Sequence, residues 1–255
     1  MNIGLEYIKY RWNAKGSDRI HSPFLNDLIK NCLKIKLETK DSHIIRSIIN
    51  EMKSSKESIE IEDFGAGSKH LGKTRPIPSI LKTSSSIGKY GEFLYQVCKH
   101  YKFKNTLEFG TSLGIGSSYM ALGNKGGTIT TIEACENTRK LALNNFKSKE
   151  INNIKSIHST FSEYLNNIKN EQFDLIYIDG HHDGEALLSY MEKLQNYSHS
   201  KTMFILDDIR WSDSMLNAWN IIKKSPQYSF SLDLFRFGIV IPAIEENKAN
   251  YTLSL

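Results

Sequence analysis

The sequence predicts an α/β protein built on a mostly parallel sheet with helices on both faces. Three observations carry that expectation. From Asn105 onward, short runs rich in β-branched and aromatic residues alternate with amphipathic stretches of helical period. Glycines and carboxylates recur at the ends of those runs, where an open α/β sheet binds its ligands. The last two runs, YSFSLDLF and FGIVIP, lie too close together for a crossover helix, so they pair antiparallel as a hairpin closing one edge.

In chain order, NTLEFG reads as the first buried strand and GIGSSYMAL as a helix opening at glycines. TITTIEA, IKSIHS, FDLIYIDG and TMFILDDI follow as strands, separated by the helical CENTRKLALNNFKSKE, FSEYLNNI and GEALLSYMEKLQNY. A further helix, SDSMLNAWNIIKKS, leads to the hairpin. Upstream, LNDLIKNCLKIKLE, HIIRSIINEMKSS and IGKYGEFLYQVCKHYK are helical, IEIEDF is a short strand, and GAGSKHLGKTRPIPSI is a loop broken by Pro76 and Pro78. The division expected is an N-terminal, mostly helical extension over residues 1–85 and a sheet domain over 86–255.

Composition narrows the function. With 255 residues, 40% of them hydrophobic and 24% charged, the chain is globular, not disordered. Cys32, Cys98 and Cys135 are scattered, which argues against a disulfide framework or a cysteine zinc site. The start MNIGLEYIKYRWNAKG lacks the apolar core of a signal peptide, and no stretch approaches the roughly 20 apolar residues of a membrane span. A cytoplasmic protein without membrane partners is expected. Residues 1–104 carry 19 Lys and Arg against 11 Asp and Glu, and residues 105–255 carry 14 against 17, so a basic part precedes an acidic one. The pI of 8.9 falls short of the ~9 or more of a strong nucleic-acid footprint.

Three nucleotide-type motifs compete. Gly67-Ser-Lys-His-Leu-Gly72-Lys73-Thr74 matches the P-loop pattern, but Pro76 and Pro78 follow where a phosphate-binding helix should continue. Phe109–Gly116 with Tyr197 and Lys201 imitates a short-chain dehydrogenase, yet the pair comes only 87 positions after Gly110 and outside a helix. The third reading uses most residues. Glu108-Phe-Gly110-Thr111-Ser112-Leu-Gly114 closes the first strand, with an acid for a cationic amino group and glycines that let backbone approach a ligand. The helix N-terminus after it favours a carboxylate. Glu133 closes the second strand 23 positions after Gly110, where a doubly wound fold places the acid for a ribose. An amino group, a carboxylate and a ribose together describe S-adenosylmethionine (SAM).

In LEFGTSLGIGSSYMAL, TIEA, FDLIYIDGHH and FILDDIRWS, in that order, the chain resembles the class I SAM-dependent methyltransferases. HSPF (His21–Phe24) and EDFGAGS (Glu62–Ser68) resemble a bacterial O-methyltransferase-like subgroup. The resemblance implies a Rossmann-like sheet of seven strands, five parallel plus the hairpin, with 86–255 as the catalytic domain and 1–85 as a lid or substrate wall. It implies SAM contacts from Glu108, Gly110, Thr111, Ser112, Gly114, Glu133 and Asp179. It also places Ser159 and Thr160 near the adenine, although a helix N-cap explains them equally well.

Asp179, Asp207 and Asp208 end two neighbouring strands and would repel one another without a cation or protons. The resemblance to catechol-type enzymes makes them candidate Mg²⁺ ligands, with Asp208 standing where those enzymes have Asn. The alternative is that Asp207 and Asp208 cap the next helix while Asp179 bonds the cofactor. His182, three positions after Asp179, stands where those enzymes carry a catalytic lysine, and an imidazole can accept a hydroxyl proton near neutral pH. His181 is expected to point elsewhere, and Asp183 to orient either ring. The expected activity is methyl transfer to a hydroxyl of a small-molecule acceptor, with catalysis by Asp179 and His182. RNA or protein methylation, a P-loop protein using Gly67–Thr74 and an inactive binding protein are the alternatives; a homodimer is an open option.

Overall fold

The computed structural model describes residues 1–14, 22–33, 35, 37–63, 70–83, 87–169, 171–243 and 249–253. The chain begins with helix α1 (Ile3–Asn13), capped by the Asn2 side chain. Helix α2 (Pro23–Leu28) runs into one π-helical turn over Ile29–Leu33, and α3 (Thr39–Ser54) follows. The HSPF segment has a local reason to start α2. Ser22 accepts the Leu25 N–H as N-cap, Pro23 takes the first turn where its missing N–H costs nothing, and Phe24 packs against Tyr101 and Phe230. His21 lies outside the described residues.

Strands β1 (Ser58–Asp63) and β2 (His70–Pro76) form a separate antiparallel pair, followed by α4 (Ile77–Thr83) and α5 (Lys89–Tyr101). This corrects the loop expected over GAGSKHLGKTRP. Lys73 and Thr74 sit opposite Ile61 and Glu60 in an antiparallel ladder, not on the first turn of a helix where a P-loop needs them, and residues 67–69 of the motif lie outside the described residues. Pro78 falls in the first turn of α4, so it starts that helix where it was expected to break one. Residues 64–69, and with them most of EDFGAGS, lie outside the described set.

The core follows as β3 (Asn105–Phe109), α6 (Ile115–Gly123), β4 (Thr128–Glu133), α7 (Glu136–Ser148), β5 (Ile154–His158), α8 (Phe161–Asn167), β6 (Phe173–Ile178), α9 (Gly184–Leu194), β7 (Ser198–Leu206), α10 (Asp213–Ile222), β8 (Tyr228–Leu234), β9 (Phe237–Pro242) and β10 (Ala249–Thr252). Sheet order is β10-β8-β9-β7-β6-β3-β4-β5. The five strands β3 to β7 run parallel, and the β8–β9 hairpin joins β7 antiparallel through β9. The expected α/β plan holds with one correction, because the sheet has eight strands. Four-residue β10 pairs parallel with β8 at the far edge, and a short, half-exposed ANYT carries no periodic signal by which sequence reading could find it.

Burial follows position. Central β3 and β6 are almost entirely buried, whereas the outer strand β5 is half-exposed. One hydrophobic cluster runs from Leu25, Ile48 and Leu81 of the N-terminal segments through Phe93 and Tyr95 to Leu175, Ile205 and Phe237 of the sheet. The N-terminal helices thus share a core with the sheet. A second cluster, including Trp219, Phe204 and Ile178, fills the opposite face under α9 and α10.

Candidate active site

The site begins where β3 turns into α6. Gly110 has φ +97°, and a Cβ there would meet the Asp179 carbonyl oxygen at 1.8 Å, so only glycine lets this turn lie against the end of β6. Gly114, at φ +78°, is the N-cap of α6, and a Cβ would press into the Phe146 ring at 2.7 Å. Ser112 (φ 45°), His181 (φ 55°), Asp208 (φ 49°) and Phe235 (φ 72°) are four of the six non-glycine residues with positive φ among the described residues. All four lie on the loops at this end of the sheet. Such clustering of backbone strain is typical of sites whose geometry matters more than local comfort.

Glu133 ties two of these loops together. Its carboxylate accepts the Ser112 N–H at 2.8 Å and the Cys135 N–H at 2.9 Å, one on each oxygen. Burial pushes its pKa up, against the pull of those N–H donors. The Ala134 N–H bears on the same carboxylate, and the lone-pair capacity left over can accept from a ligand hydroxyl. Thr111 is buried and shares a hydrogen bond with Thr131 at 2.6 Å, so it braces β3 against β4.

Glu108 lies deeper than expected. It is 1% exposed and accepts from the Ser117 hydroxyl of α6, so a direct contact with a ligand ammonium would need the turn to open. Burial pushes its pKa up to about 7, opposed by hydrogen bonds from Ser117 and Thr131. The sign of the resulting pH dependence is definite. A carboxyl raised in the folded state favours folding while protonated, and that contribution fades as pH rises from the unfolded value near 4.5 through about 7. Glu108→Gln is therefore expected to raise thermal stability at pH 8 by about 3 kcal/mol and to change it little at pH 4. Thermal melts of both proteins across that range are the check, and equal melting shifts at both pH values would refute the assignment.

Ser159 and Thr160 end β5. Thr160 caps α8 in a complete capping box with Glu163, and the Ser159 hydroxyl donates to the Thr160 carbonyl at 2.9 Å. Both hydroxyls are thus engaged in local structure. Phe161 beside them stacks on Phe109 with ring centres 4.6 Å apart.

The carboxylates at the ends of β6 and β7 sort into two groups. Asp207 is buried and accepts from Arg236 Nε at 2.8 Å, from the Tyr177 hydroxyl at 2.8 Å and from the Asp208 N–H at 2.6 Å. Asp179, His182 and Asp208 instead bring one ligand atom each within 4.8 Å of one another. His182 Nε2 stands 3.9 Å from Asp208. The expected trio of Asp179, Asp207 and Asp208 is thus rearranged: His182 joins the converging set, and Asp207 faces an arginine. Helix α10 is capped by Ser212, so Asp207 and Asp208 do not cap it. Asp183 caps α9 through the Ala186 N–H at 2.9 Å, and the His181 ring is held by the Tyr190 hydroxyl at 2.6 Å. His182 is therefore the imidazole left facing the carboxylates.

Burial, then the charges of Asp207 and Asp208, holds the Asp179 carboxyl well above its usual range. Burial and Asp207 raise Asp208 likewise. Burial alone would lower the Arg236 pKa, but Asp207 and Asp208 more than compensate and keep it charged. The Arg236 Nε also lies 3.0 Å from Asp208, and its guanidinium stacks over the Tyr90 ring at 5.6 Å. Sequence reading missed Arg236, Tyr90 and Trp211. All three line a cavity of about 460 Å³ beside Asp208, together with Met1, Ile3, Arg210 and Phe235. Arg236 arrives through register: Leu206 pairs with Gly238, which brings the hairpin turn to the carboxyl end of β7.

The family model described as a methyltransferase domain matches residues 107–209. Over those residues the chain is similar to that family. The matched segment runs from within β3 to just past the end of β7 and includes Glu108, Glu133, Asp179, His182, Asp207 and Asp208. Its fold is that of known O-methyltransferases. The O-methyltransferase from Bacillus cereus in complex with SAH superposes with a TM-score of 0.56 at 19% identity, covering 86% of this chain and 97% of that one. The SAH-bound methyltransferase of Podospora anserina gives 0.61 at 13% identity, covering 91% and 100%. The O-methyltransferase of Streptomyces achromogenes involved in tomaymycin synthesis, in complex with SAM, gives 0.55 at 13% identity, covering 86% and 96%. No curated protein matches the chain significantly by sequence. Among the described residues, no helix is long and apolar enough to cross a membrane.

Proposed function

We propose that the protein is a SAM-dependent methyltransferase that acts on a hydroxyl group of a small molecule. The observation that carries this reading is the convergence of Asp179, His182 and Asp208 beside an aromatic-walled cavity, at the same sheet end as the Gly110 turn and Glu133. SAM supplies an electrophilic methyl group on a sulfonium, open to in-line displacement by oxygen. Its ribose hydroxyls suit the remaining lone pairs of Glu133. Its carboxylate suits the first turn of nine-residue α6, next to the bare backbone of Gly110 and Gly114. Asp179 borders the cofactor through the close approach of its backbone to Gly110. Ser159 and Thr160 are retained as adenine neighbours through backbone and wall contacts, since their hydroxyls serve the helix cap.

The acceptor's hydroxyl must lose a proton as oxygen attacks. His182 is placed to take it, and Asp208 at 3.9 Å favours the imidazolium that results. Tyr90, Trp211 and Phe235 wall the cavity and would align a flat acceptor, which is where much of the rate advantage of such a displacement lies. Two carboxylates and an imidazole also fit a divalent cation, Mn²⁺ better than Mg²⁺ because one donor is a nitrogen, and a cation held by Asp179, His182 and Asp208 would lower the pKa of the acceptor hydroxyl. In that case Asp207 would serve the site by holding Arg236 and would not be a ligand.

Calorimetry with SAM, NADPH and ATP in parallel tests the reading, and binding of SAM alone is expected. Glu133→Ala should weaken SAM binding by about 1.5–3 kcal/mol, the worth of hydrogen bonds to a charged group. Unchanged affinity in a folded Glu133→Ala protein would remove the ribose assignment. Saturable ATP binding lost in Lys73→Ala would restore the P-loop alternative.

A further inference from the structure

Asp179 and Asp207 leave neighbouring parallel strands side by side. Ile178 pairs with Leu206, the last residues of β6 and β7, and the two acids follow directly. Adjacent strands lie about 4.8 Å apart, so two carboxylates at that spacing repel unless a proton donor or a cation stands between them. The Tyr177 hydroxyl stands there, 3.1 Å from Asp179 Oδ2 and 2.8 Å from Asp207 Oδ2. Residues two apart in a strand share a face, which brings the Tyr177 ring up under Asp179.

The packing at this position asks for a ring and not for a hydroxyl. Tyr177 is fully buried and meets Phe237 edge-on with ring centres 5.8 Å apart, a contact that phenylalanine would make equally well. What tyrosine adds is the bridge between the two acids, and that bridge is anchored from behind. Asp207 Oδ1 accepts from Arg236 Nε at 2.8 Å. The same Nε lies 3.0 Å from Asp208 Oδ1, while Asp208 Oδ2 faces His182 Nε2 at 3.9 Å. One guanidinium thus reaches the converging trio by two arms, directly to Asp208 and through Asp207 and Tyr177 to Asp179.

We propose that Tyr177 is a positioning residue for the trio of Asp179, His182 and Asp208: its hydroxyl fixes Asp179 at a set distance from Asp207, which Arg236 anchors. The inference rests on the cation reading of that trio and adds what sets its spacing. A divalent cation needs its ligand atoms at defined distances, and a carboxylate held from behind by a hydrogen bond arrives already oriented. Without the hydroxyl, Asp179 would turn away from the charge of Asp207, and an arriving cation would have to pull it back at the expense of affinity. Tyr177 touches neither cation nor acceptor; it acts through Asp179.

Titration of the S-adenosylhomocysteine complex with Mn²⁺, followed through the paramagnetic resonance of the free ion, tests the proposal. Tyr177→Phe should bind Mn²⁺ about 10–100-fold more weakly than the wild type, the usual loss when a ligand's hydrogen-bond partner is removed. It should fold and bind S-adenosylhomocysteine as the wild type does, because its ring still packs on Phe237. Co²⁺ gives a second reading, since its visible absorption reports how its ligands are arranged. Those bands should shift in Tyr177→Phe, whereas a change of packing that leaves Asp179 in place would not move them. Wild-type Mn²⁺ affinity and an unchanged Co²⁺ spectrum in Tyr177→Phe would overturn the proposal and leave the trio standing as a cation site. A wild type that binds S-adenosylhomocysteine but no cation would overturn it together with the cation reading, and binding of neither would overturn the methyltransferase reading as well.

Discussion

Asp207→Ala is expected to cost about 3–5 kcal/mol of folding stability, because it strands the Arg236 guanidinium in a largely buried position. For a chain of this size that is a fall of roughly 6–20 °C in melting temperature. Asp208 at 3.0 Å still faces Arg236, so the lower half of the range is the better expectation. The test is a double-mutant cycle with Arg236→Gln, in which the two losses should be strongly non-additive. Asp208→Asn makes the informative contrast. Asp208 is destabilised as an anion by burial and by its neighbour Asp207, so its neutral isostere should be near-neutral or stabilising. A stable Asp207→Ala protein that has lost cation binding would instead make Asp207 a ligand and undo the sorting of the carboxylates into two groups.

The second large effect concerns the converging trio. Asp179→Asn, His182→Ala and Asp208→Asn should each weaken Mg²⁺ or Mn²⁺ binding measured in the presence of S-adenosylhomocysteine, because the Asn variants remove a ligand's charge and the Ala variant removes a ligand atom. His182→Ala should also lower turnover about 10²–10⁴-fold once an acceptor is in hand. The two roles of His182 separate cleanly. If the cation carries the deprotonation, EDTA should abolish turnover of the wild type and Mg²⁺ should restore it. If His182 is the base alone, EDTA should do nothing while His182→Ala remains deeply impaired. No cation binding by the wild type would end the metal reading, and full activity of His182→Ala would end both.

The sequence by itself determined the parallel sheet, the order of its helices and the acids at its strand ends. These are local properties: β-branched runs, helical periodicity and glycines at turns act within a few residues, and Gly110 is legible because its turn admits no side chain. Glu133 and Asp179 could be singled out for the same reason, since each stands at a strand boundary, whereas His182 was reached through the resemblance to catechol-type enzymes. Only the tertiary structure decided which carboxylates share a space. Asp207 and Asp208 are neighbours in sequence and share Arg236, yet only Asp208 also converges with Asp179 and His182, while Asp207 accepts from the Tyr177 hydroxyl. Arg236 lies 29 residues after Asp207 and reaches it only because β9 pairs antiparallel with β7 in one register. Strand β1 was legible as IEIEDF, but its partner β2 and edge strand β10 were hidden, for short polar strands are stabilised by the neighbour they find and not by their own pattern. The cavity wall is the plainest case. Met1, Tyr90, Trp211 and Arg236 come from four distant segments, and no spacing along the chain encodes that meeting.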